Sequence, residues 1–408
     1  MSSSFQSKNQ LADSIQLADP IWVDNQESFD QMIEHLRRNP IFALDTESDS
    51  LFSYYPKVCL IQISTCDTVN ENGTATTSKQ EIVDYLLDPL TFDHLDPLGN
   101  LLADPEIEVI IHSASNDILT LQRDFQFRFE NIFDTQLSAR ILGWKQTGLA
   151  ALLETYFGVK SNKKMQRTNW AQRPLTQQQI SYARMDTCYL LALRELQIAA
   201  LKEDDRLEEA NEGFSFLSAV DYSERPVAER TFWSMKAARD VDHKHMGLLE
   251  ALWQWREKES QRRDRPPFKV MNDRALIEIA QQKPMTRHQL QNIRGLGEHQ
   301  LNRYCKQLLR TIKAGSDRPA PKQQHQRVYH DRLPEIVMDR YEALREWRTR
   351  RAKQRGVDPD IVFNNDTLMA IAKAAPDSES DLQKLGEIGP WKARAYGEKI
   401  FEIVARYS

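Results

Sequence analysis

Apolar positions in the first 160 residues follow two rhythms. Ile41-Phe42-Ala43-Leu44, Val58-Cys59-Leu60-Ile61-Gln62-Ile63-Ser64 and Ile107-Glu108-Val109-Ile110-Ile111-His112 are short, dense runs of buried-strand length. Ile21-Trp22-Val23, Glu81 to Leu87 and Ile132-Phe133 predict three further strands. Helical spacing alternates with them over Ser28 to Arg38, Leu95 to Ala103, Asn116 to Asp124 with Ser115 as its cap, Thr135 to Leu142, and Leu149 to Phe157 with its stop at Gly158. Tyr54-Tyr55-Pro56 and Asn72-Gly73 mark turns. One long helix is expected from about Thr176 to Leu201, and the acidic stretch EDDRLEEANE (203–212) reads as the start of a linker. Strands that lead and then alternate with helices predict an α/β domain with a mixed sheet flanked by helices.

The second half is helical and repeats itself. Shifted by 92 residues it overlays without gaps, with Trp255-Arg256 on Trp347-Arg348, Arg263 on Arg355, Pro267 on Pro359 and Tyr304 on Tyr396. Leu276, Ile279 and Ala280 fall on Leu368, Ile371 and Ala372. Two copies of one helical unit, joined by a Pro/Gln/Arg-rich linker over 314–332, account for this.

Charge separates the halves. Residues 1–200 carry 16 Lys and Arg against 26 Asp and Glu; residues 243–408 carry 32 against 22. An acidic first part suits a cation site and a basic second part suits a polyanion. The scattered cysteines, Cys59, Cys66, Cys188 and Cys305, have no CxxC spacing and read as reduced thiols. No apolar run is long enough to cross a membrane, and the N-terminus lacks the pattern of a secretory signal, so a cytoplasmic location is expected.

The candidate chemistry is carboxylate chemistry. Asp45 and Glu47 stand two apart at the end of an apolar strand and so share a face. Buried together they repel, and a divalent cation with a preference for oxygen ligands relieves that repulsion. A solvated strand end is the plainer alternative for this pair alone. Asp117 falls on the first turn of the helix after the His112 strand, and Tyr182 and Asp186 are one helical turn apart. Four such acids could hold two divalent ions about 4 Å apart.

The order of these motifs resembles the tyrosine branch of the DEDD exonuclease superfamily over roughly residues 20–200. The segments that carry the likeness are ALDTES, YYPKVCLIQIS, IHSASNDILTL, RTNWAQRPLT and YARMDTCYLL. The C-terminal repeats resemble HRDC domains, and the whole chain is similar to the ribonuclease D family. Asn169 departs from the aspartate expected before the tryptophan, and Arg184-Met185 replace small residues. The resemblance implies a ribonuclease H-like exonuclease domain over 20–212, after a disordered tail (1–19). A connector (213–240), an HRDC-like domain (241–313), a linker (314–332) and a second HRDC-like domain (333–408) would follow.

It also implies Asp45, Glu47, Asp117 and Asp186 as ligands of two Mg²⁺ or Mn²⁺ ions, with Tyr182 orienting the attacking water. The expected activity is 3′–5′ exoribonuclease trimming of RNA, with tRNA precursors foremost, by a monomer that releases 5′-nucleoside monophosphates. His112, Lys163, Lys164, Arg167 and Trp170 are the candidate RNA contacts. A DNA exonuclease of the same superfamily and a catalytically silent RNA-binding scaffold are the alternatives.

Overall fold

The computed structural model describes residues 15–66, 80–222, 231–235, 238, 241–321 and 333–407. Most of the expected N-terminal tail, the Asn72-Gly73 turn and much of both expected linkers lie outside them. The chain divides into two compact units, one of residues 1–47, 58–224 and 330–408, the other of residues 48–57 and 225–329.

In the first unit, strands β1 (Ile15–Leu17), β2 (Ile21–Val23), β3 (Ile41–Ser48), β4 (Val58–Cys66), β5 (Gln80–Leu87), β6 (Glu108–Ile111) and β7 (Ile132–Asp134) make one mixed sheet. Its order is β1-β5-β4-β3-β6-β7, with β2 also paired to β5. β3, β6 and β7 run parallel, while β4 and β5 pair antiparallel. Alternation along β3 sends Phe42 and Leu44 into one core and Ala43 into another on the opposite face.

Helices α1 (Gln26–Arg38), α2 (Asp96–Leu102) and α3 (Ser115–Phe125) cover the Phe42 face. Phe29, Met32, Ile33 and Leu36 form the buried stripe of α1, and Asn25 caps it by accepting from the Ser28 N–H at 3.1 Å. Helices α4 (Thr135–Ile141), α5 (Leu149–Phe157), α6 (Gln177–Met185), α7 (Leu190–Glu203) and α8 (Leu207–Ser218) follow. Residues of α4, α5, α7 and α8 build the core on the Ala43 face.

Three expectations are corrected here. The long helix is two, α6 and α7, broken over residues 186–189. No Gly or Pro signals the break; tertiary contacts hold it. Ser64 Oγ lies 2.6 Å from both Thr187 Oγ1 and Asp84 Oδ1, and Arg184 pairs with buried Asp84 at 2.8 Å. The acidic stretch is no linker: α8 buries Ala210 and Phe214. Ser115 is the first residue of α3, whose cap position, Ala114, has no side-chain acceptor. Asp134 instead accepts from the Ser113 and Ala114 N–H groups at 3.1 and 2.9 Å.

The second unit holds α9 (Met246–Arg262), α10 (Pro267–Val270), α11 (Asp273–Gln282), α12 (Arg287–Gln291) and α13 (Glu298–Gly315). The 48–57 segment, which continues from β3, belongs to this unit. Asp264 fastens it by accepting from Ser53 Oγ, Tyr54 N and Tyr55 N at 2.7, 2.8 and 3.1 Å.

The first unit resumes with α14 (Glu335–Arg355), α15 (Pro359–Val362), α16 (Asn365–Ala374), α17 (Glu379–Gln383) and α18 (Pro390–Ala405). The 92-residue offset holds bond by bond. Buried Arg256 donates to the Met271 carbonyl at 2.9 Å, and buried Arg348 to the Phe363 carbonyl at 2.8 Å. Asn272 and Asn364 cap α11 and α16 through Ala275 N and Thr367 N at 2.8 and 2.7 Å. Arg263 donates to the Tyr304 hydroxyl, and Arg355 likewise to Tyr396. These four arginines are therefore held by bonds inside the fold and are not part of the positive charge the second half offers to a polyanion.

The second repeat packs on α8 through acids. Arg355 forks onto Glu209, whose side chain is only 2% exposed. Glu212 accepts from the Trp391 and Lys392 N–H groups at 2.6 and 3.2 Å, which closes the N-terminus of α18.

Candidate active site

β3 delivers Asp45 and Glu47 from the sheet, and α6 ends on Asp186. One oxygen from each of these three carboxylates lies within 4.8 Å of the others. Asp117 stands beside them on the first turn of α3, buried, with Thr46 Oγ1 donating to its Oδ1 at 2.5 Å. Thr46 can do this because it points to the opposite face of β3 from its acidic neighbours, the face that α3 covers. Asp117 is not part of the three-way cluster but acts on it electrostatically.

Two buried supports aim these acids. Asp134 gathers the N–H groups of Ser113, Ala114, Gln136 and Leu137, which fixes both the turn into α3 and the start of α4. Ser113 adopts φ 64, a left-handed conformation unusual for a residue with a side chain, and Asp134 holds it there. The Asp84–Arg184 pair fixes the end of α6 just before Asp186. Neither support was legible in the motifs. The one available signal was Arg184 itself, which stood where a small residue was expected.

Burial raises all four carboxyls above the ordinary range. Desolvation dominates at Asp45, with Asp117, Asp186 and Glu47 adding repulsion, and its carboxyl rises well above the usual value. Glu47 is pushed up to about 9 by burial and then by Asp186 and Asp117. Asp186 rises to about 7 and Asp117 to about 6, both mainly by burial and both restrained by hydrogen bonds, from Tyr182 and Thr46 respectively. Among the described residues no basic side chain offsets this repulsion. Crowded, unneutralised carboxylate oxygens are a donor set suited to a hard divalent cation.

Tyr182 completes the cluster. Its hydroxyl bonds to Asp186 and to Gln166, and burial together with the charges of Asp186 and Glu47 raises its pKa far above the ordinary value. The phenol therefore keeps its proton and acts as a donor.

The 3′–5′ exonuclease family profile matches residues 20–196, and the HRDC domain profile matches 245–312 and 337–404. Ribonuclease D of Gluconacetobacter diazotrophicus is 31% identical over 279 residues, which cover 68% of this chain and 67% of that one. The chain belongs to the ribonuclease D family. That family is one of 3′–5′ exoribonucleases of the DEDD superfamily. The exosome complex exonuclease RRP6 of Saccharomyces cerevisiae is 30% identical over 290 residues, 65% of this chain and 36% of that protein. The crystal structure of Escherichia coli RNase D shares the fold at a TM-score of 0.60 and 22% identity, over 96% of this chain and all of that one.

The remaining ribonuclease D-like candidates divide by exposure. Lys163, Lys164 and Arg167 are exposed on the loop before α6. Trp170 on the same loop is fully buried, packed with Cys59, Leu60 and Leu86, its ring 6.1 Å from that of Tyr182. Stacking of a base on Trp170 is thus corrected to a core role. Arg173 plugs the loop down, donating to the Trp170 and Cys59 carbonyls at 2.7 Å each and pairing with Asp88.

His112 is half-buried, with Nδ1 2.8 Å from Thr135 Oγ1. Burial lowers its pKa to about 4 against the opposing pull of Asp134, so the ring is neutral at pH 7. Sequence reasoning missed a pocket of about 410 Å³ beside Tyr182, lined by Ser161, Asn162, Gln178, Ser181 and Met185 among others. Its polar residues come from the loop and α6 and follow no motif spacing.

Proposed function

We propose that this chain hydrolyses RNA from the 3′ end, one nucleotide at a time, releasing 5′-nucleoside monophosphates, with 3′-extended tRNA precursors as the leading substrates. The observation that carries this is the meeting of Asp45, Glu47 and Asp186 within 4.8 Å, with Asp117 and Tyr182 adjoining, in a member of the ribonuclease D family.

Asp45, Glu47, Asp117 and Asp186 would hold two divalent ions, Mg²⁺ or Mn²⁺. Bound there, such ions supply an acidified water and neutralise charge on the scissile phosphate. The residues of the chain do the rest. The Tyr182 hydroxyl, held by Asp186 and Gln166, keeps its proton, donates its hydrogen bond to Asp186, and orients the attacking water by accepting a hydrogen bond from it. Thr46 and Asp134 keep Asp117 in place, and the Asp84–Arg184 pair does so for Asp186. The pocket beside Tyr182 would seat the terminal nucleotide, with Lys163, Lys164 and Arg167 along the approach of the strand. Neutral His112 serves as a positioning contact through Thr135.

The test is a time course on a tRNA precursor with a 3′ extension, labelled at its 5′ end, beside a matched single-stranded DNA. Stepwise shortening of the RNA with Mg²⁺, abolished by EDTA and by Asp186→Ala, is expected. RNA binding by that variant is expected to be retained. Turnover by Asp186→Ala, or faster loss of the DNA, would overturn the reading.

A further inference from the structure

The two C-terminal repeats share one framework but not one surface. Between 245 and 312 the first carries 13 Lys and Arg against 7 Asp and Glu; between 337 and 404 the second carries 12 against 12. The whole basic excess of the matched modules therefore sits in the first copy. On the last helix the two copies differ in where their cations stand. In α13, Arg303, Lys306, Arg310 and Lys313 are all exposed and recur at spacings of 3 and 4, which places them on one face. The buried positions of that helix, Leu301, Tyr304, Leu308 and Ile312, lie on the other side. At the equivalent positions of α18 stand Ala395, Glu398, Glu402 and Ala405. At these four positions the same helix in the same fold has exchanged cations for two acids and two alanines, while Lys392, Arg394 and Lys399 of α18 stand at other positions.

The turns before these helices differ as well. In the second copy, Glu212 from α8 occupies the N–H groups at the start of α18, and its carboxylate leaves no room beside Gly389, where an added Cβ would lie 2.3 Å from it. In the first copy Arg294 and Gly295 are exposed, Gly295 has φ +86, and Gln300 turns back to accept from the Gly297 N–H at 2.9 Å. Arg294 thus adds an exposed cation to the turn just before α13.

We infer that the repeats have divided their work: the second is an intramolecular brace on the nuclease, and the first holds RNA through a phosphate-binding ridge of Arg303, Lys306, Arg310 and Lys313, with Arg294 at its head. From 303 to 313 the ridge runs about 15 Å, at 1.5 Å per residue. Four cations repeating along one helix face, with no aromatic or amide side chain among them, suit the evenly charged phosphate backbone. This rests on RNA being the substrate.

The experiment replaces all four ridge residues by glutamine in the full chain (R303Q, K306Q, R310Q, K313Q) and compares a second-repeat control, R345Q with R350Q and K353Q. Binding of the tRNA precursor is measured in EDTA against salt, and hydrolysis of the precursor and of a dinucleotide in Mg²⁺. The ridge variant is expected to lower the slope of log affinity against log salt by about 3, at roughly 0.7 for each phosphate no longer neutralised. It should raise KM for the precursor at least about tenfold and leave dinucleotide hydrolysis unchanged, while the control changes neither slope nor KM. An unchanged slope in the ridge variant, or an equal loss in the control, would overturn the division of work. A wild-type chain that binds RNA with the expected slope but hydrolyses none would instead defeat the proposed activity and leave the ridge standing.

Discussion

The acids that make the site also burden the fold, and Glu47→Gln measures that burden. The Glu47 carboxyl is raised from 4.5 to about 9, with burial the first cause and Asp186 the second. A group whose folded pKa lies above its unfolded value favours folding fully below the unfolded value, and that advantage is lost as pH rises towards the folded pKa. For Glu47 the window runs from 4.5 to about 9. At pH 7 the side chain must enter the metal-free fold either protonated or as a repelled anion. The first route costs about 1.4 kcal/mol per pH unit above 4.5, hence about 3 kcal/mol. Glutamine keeps the shape and removes that cost.

Calorimetry of wild type and Glu47→Gln in EDTA is the assay. At pH 7 the variant should unfold at the higher temperature by several degrees, and at pH 5 the gap should shrink to under about 1 kcal/mol. Added Mg²⁺ should reverse the order, since wild type would gain more from a ligand that binds its folded state. Hydrolysis by the variant should fall by at least about 100-fold. A metal-free variant that is no more stable than wild type at pH 7, or a gap that does not narrow on acidification, would refute the electrostatic account.

Two other substitutions separate structural from functional roles. Glu209→Ala strips buried Arg355 of its carboxylate partner and should cost about 3 kcal/mol, read as faster proteolytic release of residues 333–407 with the sheet domain intact. Trp170→Ala empties a fully buried site and should cost about 3–5 kcal/mol in thermal unfolding. A normal melting temperature with a raised KM for RNA would instead restore the base-stacking role.

What could be read from the sequence was periodic or chemically conspicuous. The β3 run, the helix stop at Gly158 and the 92-residue repeat each follow from local pattern, and the acids stood out because apolar runs led into them. What could not be read depends on partners distant in the chain. The break after α6 has no Gly or Pro; it exists because Ser64, Asp84 and Thr187 meet across more than 100 residues. The acidic stretch 203–212 looked like a solvated linker because its partner arginine lies 146 residues further on. Basic runs were equally ambiguous: Arg256 and Arg348 resemble their exposed neighbours in sequence, yet both are buried on backbone carbonyls. Composition counts a charge but cannot say whether it is spent inside the fold. Once the internally bonded arginines are set aside, four of the remaining cations of the first repeat share one exposed face of α13, and the repeat itself supplies the control, since α18 keeps the helix but has no cation at the four equivalent positions.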